Sequence, residues 1–381
     1  MRKHVLILSV FVIFCGFSAS AVNFSRVNVA WQYDLDFSVK MSHRVVKEGG
    51  GFFVLLSVSS DSVVSWEYEL LVQDGYESET HRTIQPQVID TLLNVGGQVM
   101  VRLLFNQIEE NLLVVKFSKP ESFYYYDIPL KIGSLSYPSI YPVDERGMPI
   151  LEKFINRSGS SWRGSDTLLA MQYAEKFPPA DPPMADMKPL APQVNLDTSF
   201  VFVAKSDFIE NHFYVVRKDS LASVGVTMLR VPPYFPEYRQ LGELIESMLY
   251  LTSEQEKKAM LKSRNPKESF DSFWMNTYST KARARGAIRR YYNWIEETNK
   301  LFTDFKPGWK TDRGMMYIVF GRPNEVYRTG NSEEWFYDEG PAFEFTIIST
   351  FFAPKTYSLR RSKDLEEQWY TQIAAIRRGI R

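Results

Sequence analysis

The sequence predicts a multidomain β and α+β protein, with a β-sandwich in front, a smaller β-rich region in the middle and a helical plus α+β part at the C-terminal end. Three observations carry this. Short stretches in which every second residue is large and apolar fill the first third of the chain, prolines crowd together near residue 180, and after Pro232-Pro233 the apolar spacing changes from two to three and four. A length of 381 residues suits two or three domains. With 44% hydrophobic residues the chain has enough apolar surface to fold, and 45 basic against 45 acidic side chains give no field that gathers nucleic acid.

Residues 1–21 read as a signal peptide. Arg2 and Lys3 precede the apolar run from Val5 to Phe14, and Ala19-Ser20-Ala21 offers small residues to a signal peptidase. The run is too short to span a bilayer well. The alternative is a lipoprotein signal acylated at Cys15, against which stands the bulky Phe14 just before it. Cleavage after Ala21 removes two basic groups and the only cysteine, so the exported body carries a small negative charge and no thiol for a disulfide or a metal. No later stretch is apolar for long enough to cross a membrane, which places the body in the periplasm or at the periplasmic face of the outer membrane through protein partners.

The sandwich is expected over 22–135. From Val27 to Val39 every odd residue is large and apolar, and Val64, Trp66, Tyr68, Leu70 and Val72 repeat the pattern. Further strands are expected at Phe52 to Val58, Val99 to Phe105, Leu112 to Phe117 and Phe123 to Leu130, with turns at Gly49-Gly50-Gly51, Asp74-Gly75 and Gly96-Gly97. Half a dozen short alternating strands in about a hundred residues read as an immunoglobulin-like sandwich. The β-rich middle region, 136–235, has strand-like runs at Phe200 to Ala204, Phe213 to Arg217 and Val224 to Val231. Its proline-rich segment, 177–195, is a linker or surface strap, or a long loop inserted in one β domain.

The helical segment spans 236–305. Leu241, Leu244, Ile245, Met248 and Leu249 form one stripe, and Ser253 with Glu256 has the spacing of a capping box. Phe270, Phe273 and Trp274 form an aromatic cluster, and Ile288, Tyr291, Tyr292, Ile295 and Phe302 mark a long helix. Asn265-Pro266 and Lys306-Pro307-Gly308 are expected to stop helices.

Residues 308–314 read Gly308-Trp309-Lys310-Thr311-Asp312-Arg313-Gly314, followed by a strand-like Tyr317 to Phe320, Gly321-Arg322-Pro323-Asn324-Glu325 and Glu334-Trp335-Phe336-Tyr337. This resembles the signature of the GWxTD-domain family, exported proteins of Bacteroidota and Acidobacteriota type without an established activity. The Phe273-Trp274 pair and the helix bearing Tyr291 and Tyr292 fit that resemblance, while Met275 to Ser279 stands where the family has an Asp-Pro-Thr segment. Residues 306–381 are then a GWxTD α+β domain. Gly321, Pro323 and the strand holding Trp335 are also similar to the small lipoproteins of the outer-membrane β-barrel assembly machinery.

Read physically, Gly308 and Gly314 permit a positive φ or a close backbone approach, Trp309 buries a large ring whose N–H needs one partner, and Thr311 and Asp312 are short acceptors for backbone N–H groups. Asp312 or Arg313 can pair with another segment. The segment is expected to be a structural corner, with a ligand site as the alternative. Lys281, Arg283, Arg285, Arg289 and Arg290 fall within ten residues without an acid: a solvated helix face, or an anion-holding cluster. Leu365, Trp369, Ile373 and Ile376 make a C-terminal stripe expected to dock on the domain's own sheet or in a partner's groove.

No catalytic residue, cofactor or metal site is implied. His43, His81 and His212 are isolated, and no nucleophile elbow, phosphate loop or dinucleotide fingerprint occurs. The sequence reading is therefore a non-enzymatic envelope scaffold acting through protein contacts. Its alternative is a glycan-binding protein or hydrolase using carboxylates such as Asp312, Glu325, Glu333 and Glu334. Asp61-Ser62-Val63, Asp90-Thr91-Leu92, Asp166-Thr167-Leu168 and Asp219-Ser220-Leu221 resemble glycan acceptor sites of Bacteroidota.

Overall fold

A computed structural model describes residues 23–60, 67–119, 122–130, 137–174, 177–186, 196–203, 208–349 and 355–380. The signal sequence with Cys15, Val64 and Trp66 of one expected strand, Asp61-Ser62-Val63, and Pro189 and Pro192 lie outside the described residues. The chain divides into two units, 1–137 with 327–330, and 138–326 with 331–381.

Among the described residues of the first unit, the β-type runs form eight strands: β1 (Val39–Glu48), β2 (Gly51–Ser60), β3 (Glu67–Gln73), β4 (Arg82–Thr83), β5 (Val88–Val95), β6 (Gln98–Phe105), β7 (Leu112–Lys119) and β8 (Ser122–Pro129). They form two four-stranded antiparallel sheets, ordered β1-β2-β6-β5 and β4-β3-β7-β8. Val54, Leu56 and Leu103 from one sheet and Leu70, Val72, Leu113, Val115 and Ile128 from the other share a single core, so the sheets pack face to face. At the β5–β6 hairpin Gly96 and Gly97 have φ of 61° and 83°, the pair of positive values that a two-residue hairpin turn needs.

The expected strand from Val27 to Val39 is corrected. Phe24–Arg26 and Ala30–Tyr33 are single 3-10 turns, and pairing starts only at Val39. Asn28 Oδ1 accepts the Ala30 N–H at 2.9 Å and Asp34 Oδ1 accepts the Asp36 N–H at 2.9 Å, local bonds that compete with extended backbone. The apolar side chains are used all the same, because Val29 and Tyr33 are buried and Trp31 packs edge-on against Phe117 at 5.1 Å.

The second unit opens with β9 (Tyr141–Val143), β10 (Phe154–Ile155), β11 (Ser161–Arg163), β12 (Thr167–Tyr173), β13 (Thr198–Val203), β14 (His212–Arg217) and β15 (Val226–Arg230). β9 pairs with β11, and the others form one sheet ordered β10-β15-β14-β12-β13. β14 is buried from Phe213 to Val216 without a break, because both faces of the sheet are covered. Leu168, Ala170, Tyr214, Val216 and Met228 line one core, while Tyr173, Phe213, Val215 and Leu229 meet Phe177 and Phe305 in another.

Helices follow: α1 (Leu241–Ser247), α2 (Glu254–Lys262), α3 (Pro266–Tyr278) and α4 (Lys281–Phe302). Ser253 and Glu256 close the expected capping box at the start of α2. Asn265-Pro266 was expected to stop a helix and instead starts one: Asn265 Oδ1 accepts the Glu268 N–H and Pro266 takes the first helical position, where a missing N–H costs nothing. Ala284, Ala287, Tyr291, Ile295 and Phe302 form the buried side of α4.

After the corner comes α5 (Asp312–Phe320), which corrects the expected strand at Tyr317 to Phe320. Gly314 to Val319 are all buried, so after its charged first turn α5 is covered on every side and this run shows no helical period. The sheet β16 (Glu325–Arg328), β17 (Ser332–Phe336), β18 (Phe343–Ile348) and β19 (Thr356–Leu359) is paired in that order, and α6 (Glu366–Arg378) ends the chain. The α6 stripe docks chiefly on helices, not on the sheet as expected. Trp369 lies beside Tyr250 and Phe320, the Tyr278 hydroxyl donates to the Ile376 carbonyl at 2.7 Å, and Arg377 holds Glu256 with two bonds of 3.0 and 2.8 Å. Among the described residues no helix is long and apolar enough to cross a membrane.

Candidate functional site

Gly308–Lys310 is one 3-10 turn between the end of α4 and the start of α5. Neither glycine that brackets the motif has a positive φ; close approach is what excludes a side chain. A Cβ on Gly308 would stand 1.8 Å from the Thr298 carbonyl oxygen, and one on Gly314 would stand 1.9 Å from the Gly308 carbonyl oxygen. The turn is therefore pressed onto the backbone of α4, and α5 onto the turn.

The polar groups of α4 complete the contact. The Thr303 hydroxyl accepts the Gly308 N–H at 3.0 Å and donates to the Asn299 carbonyl at 2.6 Å. Asn299, fully buried, accepts the Trp309 main-chain N–H at 3.3 Å and donates its amide to the Pro236 carbonyl at 3.0 Å. The Trp309 ring is buried, and its indole N–H donates to the Tyr238 hydroxyl at 2.7 Å. Burial pushes the Tyr238 phenol up, so it stays protonated.

Thr311 caps α5. Its hydroxyl accepts the Gly314 N–H at 3.0 Å and donates to the Gly308 carbonyl at 2.7 Å. Asp312 and Arg313 diverge from there, as side chains one step apart on a helix must. The Asp312 carboxylate takes Arg361 on Oδ1 at 2.7 Å and the Leu359 N–H on Oδ2 at 2.8 Å, with both charged side chains close to nine-tenths buried. Arg313 reaches Glu333 at 3.4 Å, and its guanidinium lies 3.5 Å over the Tyr357 ring and 5.0 Å from the centre of Phe302. Glu333 is fully buried and also accepts the Trp335 indole N–H at 2.9 Å. Two ion pairs thus fasten the first turn of α5 to β17 and to the end of β19. Such pairs fix geometry more than they add stability, but removing one partner strands the other charge.

The remaining candidates fall elsewhere. Gly321 ends α5 with φ of 91°, and its carbonyl accepts the Tyr337 hydroxyl at 3.0 Å. Pro323 is buried in the next turn, Glu325 is exposed at the start of β16, and Trp335 is fully buried against Phe345. Arg283, Arg285, Arg289 and Arg290 are exposed on the N-terminal half of α4, whereas the corner packs on its other end. Glu334 stands opposite Glu344 across β17 and β18, and Arg360 donates to Glu344 at 2.9 Å. Among the described residues no group of three or more His, Asp or Glu is arranged to hold a metal ion.

Tyr238, Asn299, Tyr357 and Arg361, which hold the motif from distant positions, do not stand out in the sequence, and Glu333 stands out only as a candidate acid, not as the partner of Arg313. Only Thr298 and Asn299, polar residues interrupting the buried side of α4, gave a local sign.

No curated protein and no solved structure matches the chain. A family model described as the GWxTD domain matches residues 212–378, a span that runs from β14 to the last residue of α6 and includes the whole corner. The corner's turn, cap and paired charges therefore lie inside the matched span, and residues 212–378 of the chain are a GWxTD domain.

Proposed function

We propose that the protein is a non-enzymatic scaffold or accessory protein of the cell envelope, working through protein contacts in an outer-membrane assembly or secretion complex. The observation that carries this reading is the engagement of the corner: Trp309, Thr311, Asp312 and Arg313 all hold the domain's own elements. The Asp312 carboxylate is close to nine-tenths buried with both oxygens engaged by Arg361 and the Leu359 N–H, which supports a bracing role over contact with a substrate. Export rests on the charged, apolar and small-residue order of residues 1–21. For the front unit we infer an immunoglobulin-like sandwich. The orders β1-β2-β6-β5 and β4-β3-β7-β8 support it, being A-B-E-D over C′-C-F-G when the strands are lettered in sequence.

Mild crosslinking of the full chain in its native host, followed by co-purification, tests the scaffold role. A stable envelope partner is the expected result; a consistently solitary monomer would sink the reading. A second reading, action on envelope glycan, is favoured by one observation, the facing carboxylates of Glu334 and Glu344. It requires that the chain release sugar from isolated envelope and that Glu334→Gln abolish the release.

A further inference from the structure

Residues 177–183 read Phe177-Pro178-Pro179-Ala180-Asp181-Pro182-Pro183 and belong to no helix or strand. Phe177, Ala180 and Pro183 are buried, while Pro178, Pro179, Asp181 and Pro182 are exposed or half-buried. Burial of every third residue is the period of a polyproline II helix, three residues per turn, and a segment of this length in that conformation spans about 19 Å. Proline fixes the required backbone before anything is bound.

The surface beneath the segment is aromatic and carries polar groups that meet its backbone at residues 180, 181 and 183. Phe177 enters between Phe213 and Phe305, with ring centres 5.2 and 4.6 Å away. Ala180 donates its N–H to the Lys310 carbonyl at 2.9 Å and accepts the Tyr250 hydroxyl at 3.2 Å, and Tyr250 lies edge-on to Trp309. The Asp181 carbonyl accepts from Arg361 at 3.1 Å, and the Pro183 carbonyl accepts the Ser362 N–H at 3.0 Å. Every group on the receiving side lies within the matched span 212–378, and the segment lies outside it. The receiving groups are backbone and side-chain positions around the motif itself: Lys310 is its third residue, and Arg361 is the partner of Asp312.

We propose that this surface is a polyproline II docking groove of the GWxTD domain, filled here by the chain's own residues 177–183, and that it accepts a proline-rich segment of the same pattern from another protein. The pattern is an aromatic residue, a small residue and a proline at three-residue steps, with prolines between them. This rests on the reading of the protein as a contact-making scaffold and names the chemistry of one partner.

The test uses the full chain with residues 177–186 replaced by glycine and serine, and a synthetic peptide of the native residues 177–186. Calorimetric titration should show saturable binding to the replaced chain and far weaker binding to the native chain, whose groove is occupied. Changing the four prolines of the peptide to alanine should weaken binding about tenfold or more, through lost preorganisation. Tyr250→Phe in the replaced chain should weaken it roughly tenfold, through the lost hydroxyl donor. Should the replaced chain not fold, Ala180→Arg displaces the segment with a single change, and the peptide should then raise the melting temperature of that variant. A folded variant that neither binds nor is stabilised by the peptide overturns the proposal, as does equal binding of the proline-free peptide. A solitary monomer in the crosslinking experiment together with peptide binding here would leave the groove standing and remove only the scaffold role.

Discussion

Arg283, Arg285, Arg289 and Arg290 extend into solvent from the N-terminal half of α4, while Arg313 and Arg361, near the far end of the same helix, are almost closed off and each faces a carboxylate. The first group stands out in the sequence as a cluster of charge, whereas Arg313 sits in the motif and Arg361 does not stand out at all. What separates them is desolvation. An exposed guanidinium keeps its water and gains little from any neighbour, whereas a buried one is tolerated only with a partner in place, so its loss is felt across the structure. Charge density in a sequence is thus a poor guide to which charges matter, and the density of backbone contact around them is a better one.

That contrast can be broken by substitution. Asp312→Ala should have the largest effect, about 3–5 kcal/mol of lost stability, because it leaves Arg361 buried without its partner and frees the Leu359 N–H. Denaturant unfolding measures it, and a loss under about 1 kcal/mol would mean that the corner is not the brace described. Gly314→Ala follows with about 3 kcal/mol, since the new methyl would meet the Gly308 carbonyl oxygen at 1.9 Å and backbone has to move.

Both corner substitutions act on features only half visible in the sequence. The two glycines and the Trp-Lys-Thr-Asp run announced a tight segment, and its structural character could be argued from residue chemistry. The helix that follows could not be, because Met315 to Val319 are buried on every side and carry no period, and a short all-apolar run fits a buried strand equally well. At the other end of the chain, the alternation from Val27 to Val39 is as regular as in any true strand, yet Asn28 and Asp34 turn the backbone locally and the rings plug the sandwich from 3-10 turns.

A smaller effect sharpens the comparison from an intermediate case. Arg377 and Glu256 are each about one-third exposed, and the hydrogen bonds from Arg377 hold the Glu256 carboxyl down at about 2, against an ordinary value of 4.5. A carboxyl lowered in the folded state contributes stability that is fully present above pH 4.5 and lost as pH falls toward 2. Solvent screening limits the pair to about 1 kcal/mol or less. Glu256→Gln should remove that part of the acid dependence between pH 4.5 and 2 and loosen α6, read as faster hydrogen exchange in residues 366–378. Unchanged acid titration would show that α6 is held without the Arg377–Glu256 pair, by Trp369, Ile376 and the Tyr278 hydroxyl.

The smallest effect is expected for the fourfold change of Arg283, Arg285, Arg289 and Arg290 to Gln, within about 0.5 kcal/mol of the parent in thermal unfolding. Its sign should be slightly favourable, because Arg283 and Arg285 lie in the opening turns of α4, where the helix dipole disfavours cations. A loss of more than about 1 kcal/mol would place these arginines in the same class as Arg313.

By itself the sequence determined the β-rich front, the change to helices after Pro232-Pro233, the capping box at Ser253 and the GWxTD domain, because alternation, caps and a contiguous motif are local patterns that neighbouring residues write together. Only the tertiary structure decided that Tyr238, Glu333, Tyr357 and Arg361 hold the corner and that the prolines near residue 180 lie across it. Those partners stand tens to more than a hundred residues from the motif, and a single buried hydrogen bond or ion pair leaves no period in the chain that supplies it.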